Sequence, residues 1–277
     1  MHQVLCLAYM PKFNAFVVSD DDVNKVIAQG DIPIFKIRAD EAKALGLKFT
    51  NKTPDIGFLL GREKGYYSID FNYAKAICMA GGAIQGLTYT LLEEQMKNIN
   101  GLVLPGGSFA SPDEFYATRV DNPEEPSLRS KAYLEAIRIA EDNKIPILGI
   151  CAGAQMVAGV HGMKMYRDLS ETYSPIEHKT SEVSAHQVIT FPATTFREWM
   201  GKEFTVNSRH REGLVLNDKH SDLNIYAISP DCIPEAWGNM EEGILCVQWH
   251  PEDLAVSGDK RMLDIYKWLI YQSISKM

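Results

Sequence analysis

The sequence predicts an α/β fold with a largely parallel central sheet. Short apolar runs that stop at Gly or Pro recur through the first half of the chain. Between several of them, apolar residues return at helical spacing. Some runs, "GLVL" and "IPILGI", are apolar throughout, as strands covered on both faces must be. Strands that alternate with helices in this way build parallel sheets.

In chain order, the strand candidates are "VLCLAYM", "DIPIFKI", "DIGFLL", "AIQGLTY", "GLVLPGG" and "IPILGIC". Helical stretches are expected over 73–80, 91–98 and 127–143. The last is the clearest, because Leu128, Ala132, Leu134, Ala136, Ile137 and Ile139 fall on or near one face with charges elsewhere. After His161 the texture changes. "MKMYRDL", "SEVSAHQVITF", "EFTVNSRH", "NIYAIS" and "GILCVQWH" are β-like with few helix signals between them, which predicts an antiparallel or mixed extension of the sheet. Residues 258–274 read as an amphipathic helix whose inner face is Met262, Leu263, Ile265, Tyr266, Leu269 and Ile270. Residues 1–50 hold a strand, a helix, a strand and a second helix in "ADEAKALGL", but no motif. They are read as an extension, of open role, packed on a main domain over 51–277.

Composition narrows the function classes. The 277 residues suffice for one large or two small domains with a substantial core. An apolar content of 45% and a charged content of 23% are ordinary for a soluble protein. The net charge is -8 and no Lys/Arg run supplies a basic face, so nucleic acid is not an expected partner. No apolar run approaches the roughly 20 residues that span a bilayer. "MHQVLCLAYMPKF" reads as a first strand, having no charged leading region and no small-residue cleavage site. Five widely spaced cysteines include no CxxC pair, which argues against a structural zinc site and against a disulfide scaffold. The thiols are read as reduced and the compartment as cytoplasmic. Cys6, Cys78, Cys232 and Cys246 lie in apolar segments and are expected to be packing residues.

The fifth cysteine is different. "ILGICAGAQMVAGV" brings a strand to Cys151 and leaves it as a helix. G-x-nucleophile-x-G is the pattern of an elbow, on which the nucleophile adopts a strained backbone and its neighbours must be small. Gly149, Ala152, Gly153 and Ala154 meet that demand. A helix N-terminus at the sulfur favours its anion, and the Ala152 N–H points where an oxyanion forms. Alone, the pattern reads equally well as a tight junction holding a small buried residue.

Two further motifs strengthen the chemical reading. In "VQWHPED", a β-like run delivers His250, Pro251 stops it, and Glu252 follows at a spacing that lets a carboxylate orient an imidazole. The histidine lies about a hundred residues beyond the cysteine, which is compatible with a triad because triads are defined by geometry and not by chain order. In "GLVLPGGSF", a strand runs into a turn at Gly106 and Gly107 that can expose backbone N–H groups, a candidate second half of an oxyanion hole.

Together "PGGS", "GICAGAQ" and "VQWHPE", in that order, resemble the class I glutamine amidotransferase superfamily, from about residue 54 onward. Within it, "YAKAICMAGGAIQGLTY", "HKT…SAHQVIT" and "FTVNSRHREGL" look closest to the γ-glutamyl hydrolase branch, of the γ-glutamyl-γ-aminobutyrate hydrolase type. The resemblance implies a flavodoxin-like, three-layer α/β/α fold. It implies Cys151 as nucleophile, His250 as proton shuttle and Glu252 as its orienting carboxylate, with oxyanion contacts from Gly107 and Ala152. Substrate would be held by Gly106, Gln155 and the loop Asn207, Ser208, Arg209 and His210. It implies hydrolysis of a small γ-glutamyl amide with no cofactor and no metal. Self-association as a homodimer stays open. Where that branch commonly has Gln two residues after the histidine of its N-S-x-H stretch, this chain has Glu212, and Arg209 and Arg211 flank His210. The identity of the amine released stays open for that reason. Two other readings also stay open: a glutaminase subunit that passes ammonia to a synthetase partner, and a non-catalytic binding protein on the same fold.

Overall fold

The structure, a computed structural model, describes residues 1–44, 53–108, 110–123, 125–172, 174–216, 221–275 and 277. Contacts divide the chain into two compact units. One comprises Met1–Val103, Arg138–Pro146 and Ala255–Met277, the other Leu104–Ile137 and Ile147–Leu254.

In the first unit the strands lie in the order Gly101–Leu104, Asp55–Leu59, Ala83–Leu87, Ile32–Ile37, His2–Met10, Ala15–Ser19, Tyr66–Asp70 and Gly61–Glu63. Asp55–Leu59 pairs in parallel with both its neighbours, and His2–Met10 pairs in parallel with Ile32–Ile37. The remaining pairs are antiparallel. The N-terminal stretch therefore supplies strands to the sheet, and the division expected near residue 50 is not the one that contacts draw. Ala15–Ser19, Gly61–Glu63 and Tyr66–Asp70, not expected from sequence, form hairpins beside His2–Met10; Gly61–Glu63 is short and polar, and the other two run for only five residues each.

Capping residues fix the helices of this unit. Ser19 accepts from the Asp22 N–H at 3.2 Å and opens Asp20–Ala28, whose first turn carries three aspartates against the positive end of the helix dipole. Asp70 caps Phe71–Ala80, which ends at Gly81 in a left-handed conformation. Asp259 caps the C-terminal helix Lys260–Ile274, which buries Met262, Ile265, Tyr266, Leu269 and Ile270 as expected, and Trp268 as well. The expected 91–98 helix shortens to Leu92–Met96. The second expected N-terminal helix is Ala39–Ala44, and the rest of "ADEAKALGL" lies outside the described residues.

In the second unit the strands lie in the order Glu203–Val206, His186–Thr190, Asn224–Ile228, Pro234–Asn239, Ile244–Val247 and Ile147–Ile150. All neighbours are antiparallel until Ile244–Val247, which pairs in parallel with Ile147–Ile150. This is the antiparallel extension expected after His161. Its Pro234–Asn239 strand and the short helix Thr195–Met200 escaped the sequence reading. Trp237, Trp249, Tyr133 and Phe196 are fully buried in this unit. The expected 127–143 helix is Leu128–Asp142; Leu128 itself is half exposed and Tyr133 takes a buried place. The fold is thus α/β, with mostly parallel core strands and an antiparallel extension.

Candidate active site

The parallel register Ile150↔Val247 sends both strands out of the sheet at the same end. The Cys151 N–H donates to the Val247 carbonyl at 2.9 Å, so the elbow and the Gln248–His250 segment start side by side. Cys151 has φ 51° and ψ -113°, a conformation that costs a non-glycine residue about 1–3 kcal/mol. It stands at the N-terminus of helix Ala152–Val160. The need for small neighbours has a direct cause: a Cβ on Gly153 would lie 2.1 Å from the Leu104 carbonyl oxygen.

His250 is held from several sides. Trp249 is fully buried, its ring edge-on to Phe204 at 5.5 Å between centroids. Pro251 opens helix Pro251–Val256, a position where its missing N–H is not needed. The Asn207 side chain accepts from the His250 N–H at 2.8 Å and donates to the His250 carbonyl at 2.9 Å. The imidazole Nδ1 lies 2.6 Å from Glu252 Oε1, and the ring also hydrogen-bonds Cys151. Burial alone would push this imidazole down. The facing Glu252 carboxylate and the Cys151 sulfur outweigh it and hold the ring well above its ordinary value.

Behind the Gly-Gly turn stands a residue that sequence reasoning missed. Arg129 Nη2 donates to the Gly106 carbonyl at 2.9 Å and to Tyr133 OH at 3.1 Å, while Tyr133 OH donates to the Pro105 carbonyl at 2.7 Å. Gly107 has φ 153°, and a Cβ there would meet the Arg129 guanidinium at 2.5 Å. A Cβ on Gly106 would press on the His250 ring at 2.8 Å and on Cys151 Cβ at 3.1 Å. In sequence Arg129 looks like one more solvated charge on an amphipathic helix.

A cleft of about 710 Å³ opens at the sulfur. Of the expected site residues, Cys151, Gly107, Ala152, Gln155, Arg209 and His210 line it. Gln155 is nearly buried, and its amide donates to the Glu212 carbonyl and to Gln248 Oε1, each at 3.1 Å. Asn207 and Ser208 are corrections to the sequence reading. Both are buried away from the cleft, Asn207 on the His250 backbone and Ser208 donating to the His178 carbonyl at 2.6 Å. On the opposite side of the cleft, Tyr116 OH donates to Glu212 Oε1 at 2.7 Å. Burial pushes the Glu212 carboxyl up, against that bond and the charges of Arg211 and Arg167. Arg167 stacks on the Tyr116 ring at 3.8 Å and pairs with Asp113. Arg209 pairs with Asp253 at 2.7 Å. Arg211 faces Asp168 at 3.7 Å, so among the described residues three of the four cations that line the cleft are matched by carboxylates, and Lys179 is the fourth.

The other thiols divide. Cys78 and Cys246 are buried, and burial pushes the Cys78 thiol up to about 12. Cys6 and Cys232 are exposed, contrary to the packing role expected of them. Cys6 sits on a strand whose side chains are mostly exposed, and Cys232 in a turn at φ 67°. Among the described residues no helix is long and apolar enough to cross a membrane.

Residues 61–252 match the model of the Peptidase C26 family. A glutamine amidotransferase-like protein of Lactococcus lactis is 32% identical over 175 residues, 57% of this chain and 70% of that one. A γ-glutamyl-γ-aminobutyrate hydrolase of Escherichia coli is 28% identical over 219 residues, 72% of this chain and 85% of that one. A glutamine amidotransferase structure from Thermotoga maritima superposes with a TM-score of 0.56 at 15% identity, covering 81% of this chain and 99% of that one.

Proposed function

The chain belongs to the Peptidase C26 family, and from that premise we propose that it hydrolyses a γ-glutamyl amide, releasing glutamate and an amine. The observation that carries this reading is the contact of Cys151 with an imidazole that Glu252 backs at 2.6 Å. The Cys151 sulfur attacks the side-chain carbonyl carbon of the γ-glutamyl group, its proton having passed to His250. The developing oxyanion is met by the Gly107 and Ala152 N–H groups. The tetrahedral intermediate collapses as His250 gives its proton to the departing amine, leaving a γ-glutamyl thioester on Cys151. Water, deprotonated by His250, then attacks the thioester, and glutamate leaves as the thiol is restored. Glu252 stabilises the imidazolium in each half-reaction.

Lys179, the cleft cation outside those ion pairs, favours an amine that carries a carboxylate over ammonia alone. It is this feature that sets a γ-glutamyl hydrolase reading ahead of a glutaminase subunit. The test compares rates on glutamine, γ-glutamyl-γ-aminobutyrate, γ-glutamyl peptides and polyglutamylated folate. Cys151→Ala abolishes turnover of all of them while circular dichroism stays unchanged. Normal amine release by that variant would overturn the assignment; activity on glutamine alone, stimulated by a synthetase, would favour the subunit reading.

A further inference from the structure

A second cluster of reactive side chains lies in the same unit as Cys151 and has no part in the chemistry above. His178, His186, His210 and Glu235 are all buried, and each offers an atom within 4.8 Å of the others. His178 Nδ1, His186 Nε2 and His210 Nε2 lie 3.5, 3.6 and 3.6 Å from Glu235 Oε1. The outward nitrogens settle the tautomers. His178 Nε2 is 2.9 Å from the Asp231 carboxylate, His186 Nδ1 is 3.1 Å from the Gln187 carbonyl, and His210 Nδ1 is 2.8 Å from the Glu212 carbonyl. Those oxygens only accept, so each outward nitrogen carries the proton. Each inward nitrogen of the neutral ring is then a bare lone pair.

Four acceptors thus converge on one point, and none of those atoms has a hydrogen-bond partner among the described residues. A buried carboxyl group facing three imidazole nitrogens, none of these atoms hydrogen-bonded, is a costly arrangement that a cation between them relieves. A proton relieves only one facing pair, and the separations exceed the roughly 2.7–2.9 Å of a charge-assisted hydrogen bond. They lie near the spacing a shared ion sets, since zinc–nitrogen bonds of about 2.0–2.1 Å place tetrahedral ligand atoms about 3.3 Å apart, and the wider separations, up to 4.8 Å, require the rings to draw in when the ion binds. Every histidine also has the carboxylate or carbonyl partner that orients a metal ligand.

We propose that His178, His186, His210 and Glu235 form a structural site for a zinc-class divalent cation. Imidazole-rich coordination selects late first-row metals over magnesium or calcium. Four protein ligands close the shell, so the ion does not meet substrate. Its work is to tie the loop that runs from Asn207 to Glu212 to strand Pro234–Asn239, and so to steady the Asn207 side chain that grips His250. The sequence reading expects no metal because it rests on cysteine spacings, and this ligand set contains no cysteine.

The test is the metal content of the full chain, stripped with EDTA, exposed to Zn²⁺ or Co²⁺ and gel-filtered. About one equivalent per chain is expected, and the Co²⁺ form shows the strong visible absorption of a four-coordinate site. Asp231→Asn, which changes the outward partner of His178 and leaves all four ligands in place, weakens binding by about 10–100-fold. Glu235→Gln removes stoichiometric binding, and Cys151→Ser leaves it intact. Circular dichroism establishes that each variant is folded; should Glu235→Gln fail to fold, Asp231→Asn and His186→Ala carry the comparison. The proposal is overturned if the wild type retains less than about a tenth of an equivalent. It is equally overturned if folded ligand variants bind as wild type does, or if Cys151→Ser loses the metal.

Discussion

One carboxamide, that of Asn207, closes hydrogen bonds at 2.8 and 2.9 Å on both the N–H and the carbonyl of His250. The pair fixes the backbone of the residue that contacts Cys151, from a side chain that never reaches the cleft. Asn207→Ala leaves two polar groups without that partner, at a cost of about 1–3 kcal/mol each if they stay dry. The expected outcome is a lower urea midpoint together with a fall in kcat of about 10-fold or more, since small misplacements of a reacting group are costly. KM should change little. A variant that raises KM and leaves kcat intact would return Asn207 to the substrate-binding role expected from sequence.

Glu252 sets the protonation of His250. Burial pushes the imidazole down, Glu252 pushes it up, and the carboxylate and sulfur prevail. Acid catalysis by His250 therefore persists to alkaline pH in the wild type, and Glu252→Gln moves the basic limb of the pH–rate profile to lower pH. Stability follows the same sign. With the folded value raised above the ordinary value of about 6.5, the contribution is complete below that value and is lost as pH rises through the elevated one. Thermal midpoints measured upward from neutral pH should fall for the wild type and flatten in Glu252→Gln. Superimposable profiles for the two proteins would refute this coupling.

The elements that sequence made legible are those whose signal is local. Cys151 needs small neighbours within two residues, and His250 and Glu252 lie in one short motif, so the contacts among them could be expected before any coordinates. Strand runs such as "GLVL" declare themselves by composition. The features that stayed hidden depend on distant chain segments. Arg129 acts on Gly106 from a helix whose other charges face water. Asn207 was placed in the right loop but pointed the wrong way, because a side chain's direction off a turn is set by tertiary packing. His178, His186, His210 and Glu235 are spread over two strands and two loops, with no spacing that marks a ligand set. The edge hairpins were missed because short strands with polar residues carry weak periodicity.

The elbow makes a sharper demand at Gly153 than at any other position beside the sulfur. A methyl group there would sit 2.1 Å from Leu104 O and 2.6 Å from Leu104 C, which are backbone atoms that cannot rotate away. Gly153→Ala must displace helix Ala152–Val160 and with it the Cys151 sulfur. The expected loss is about 3 kcal/mol, the upper end of overpacking costs, read from denaturant unfolding, with turnover abolished. A variant within about 1 kcal/mol of wild type would mean the helix yields easily, and the rigidity claimed for the elbow would be wrong.

Glu212 offers a test of what leaves the active site. It lines the cleft, accepts from Tyr116 OH at 2.7 Å, and is pushed up by burial without losing its proximity to Arg167 and Arg211. A carboxylate-bearing leaving group held in this cleft shares it with this acid. Glu212→Gln keeps an oxygen that accepts from Tyr116 and removes the charge. For γ-glutamyl-γ-aminobutyrate, kcat/KM should then rise about tenfold, equivalent to about 1.4 kcal/mol of relieved repulsion, while the value for glutamine moves far less because ammonia carries no carboxylate. Tyr116→Phe supplies a milder change in the same direction: it leaves the acid in place but removes a bond that holds the Glu212 carboxyl down, and so raises it further and keeps it neutral to higher pH. The gain of Glu212→Gln over wild type on the acidic substrate should therefore grow as pH rises and the wild-type carboxylate ionises, while the two proteins stay alike on glutamine. A parallel change for both substrates across the pH range would show that Glu212 acts on the fold of the loop and not on the charge of the departing amine.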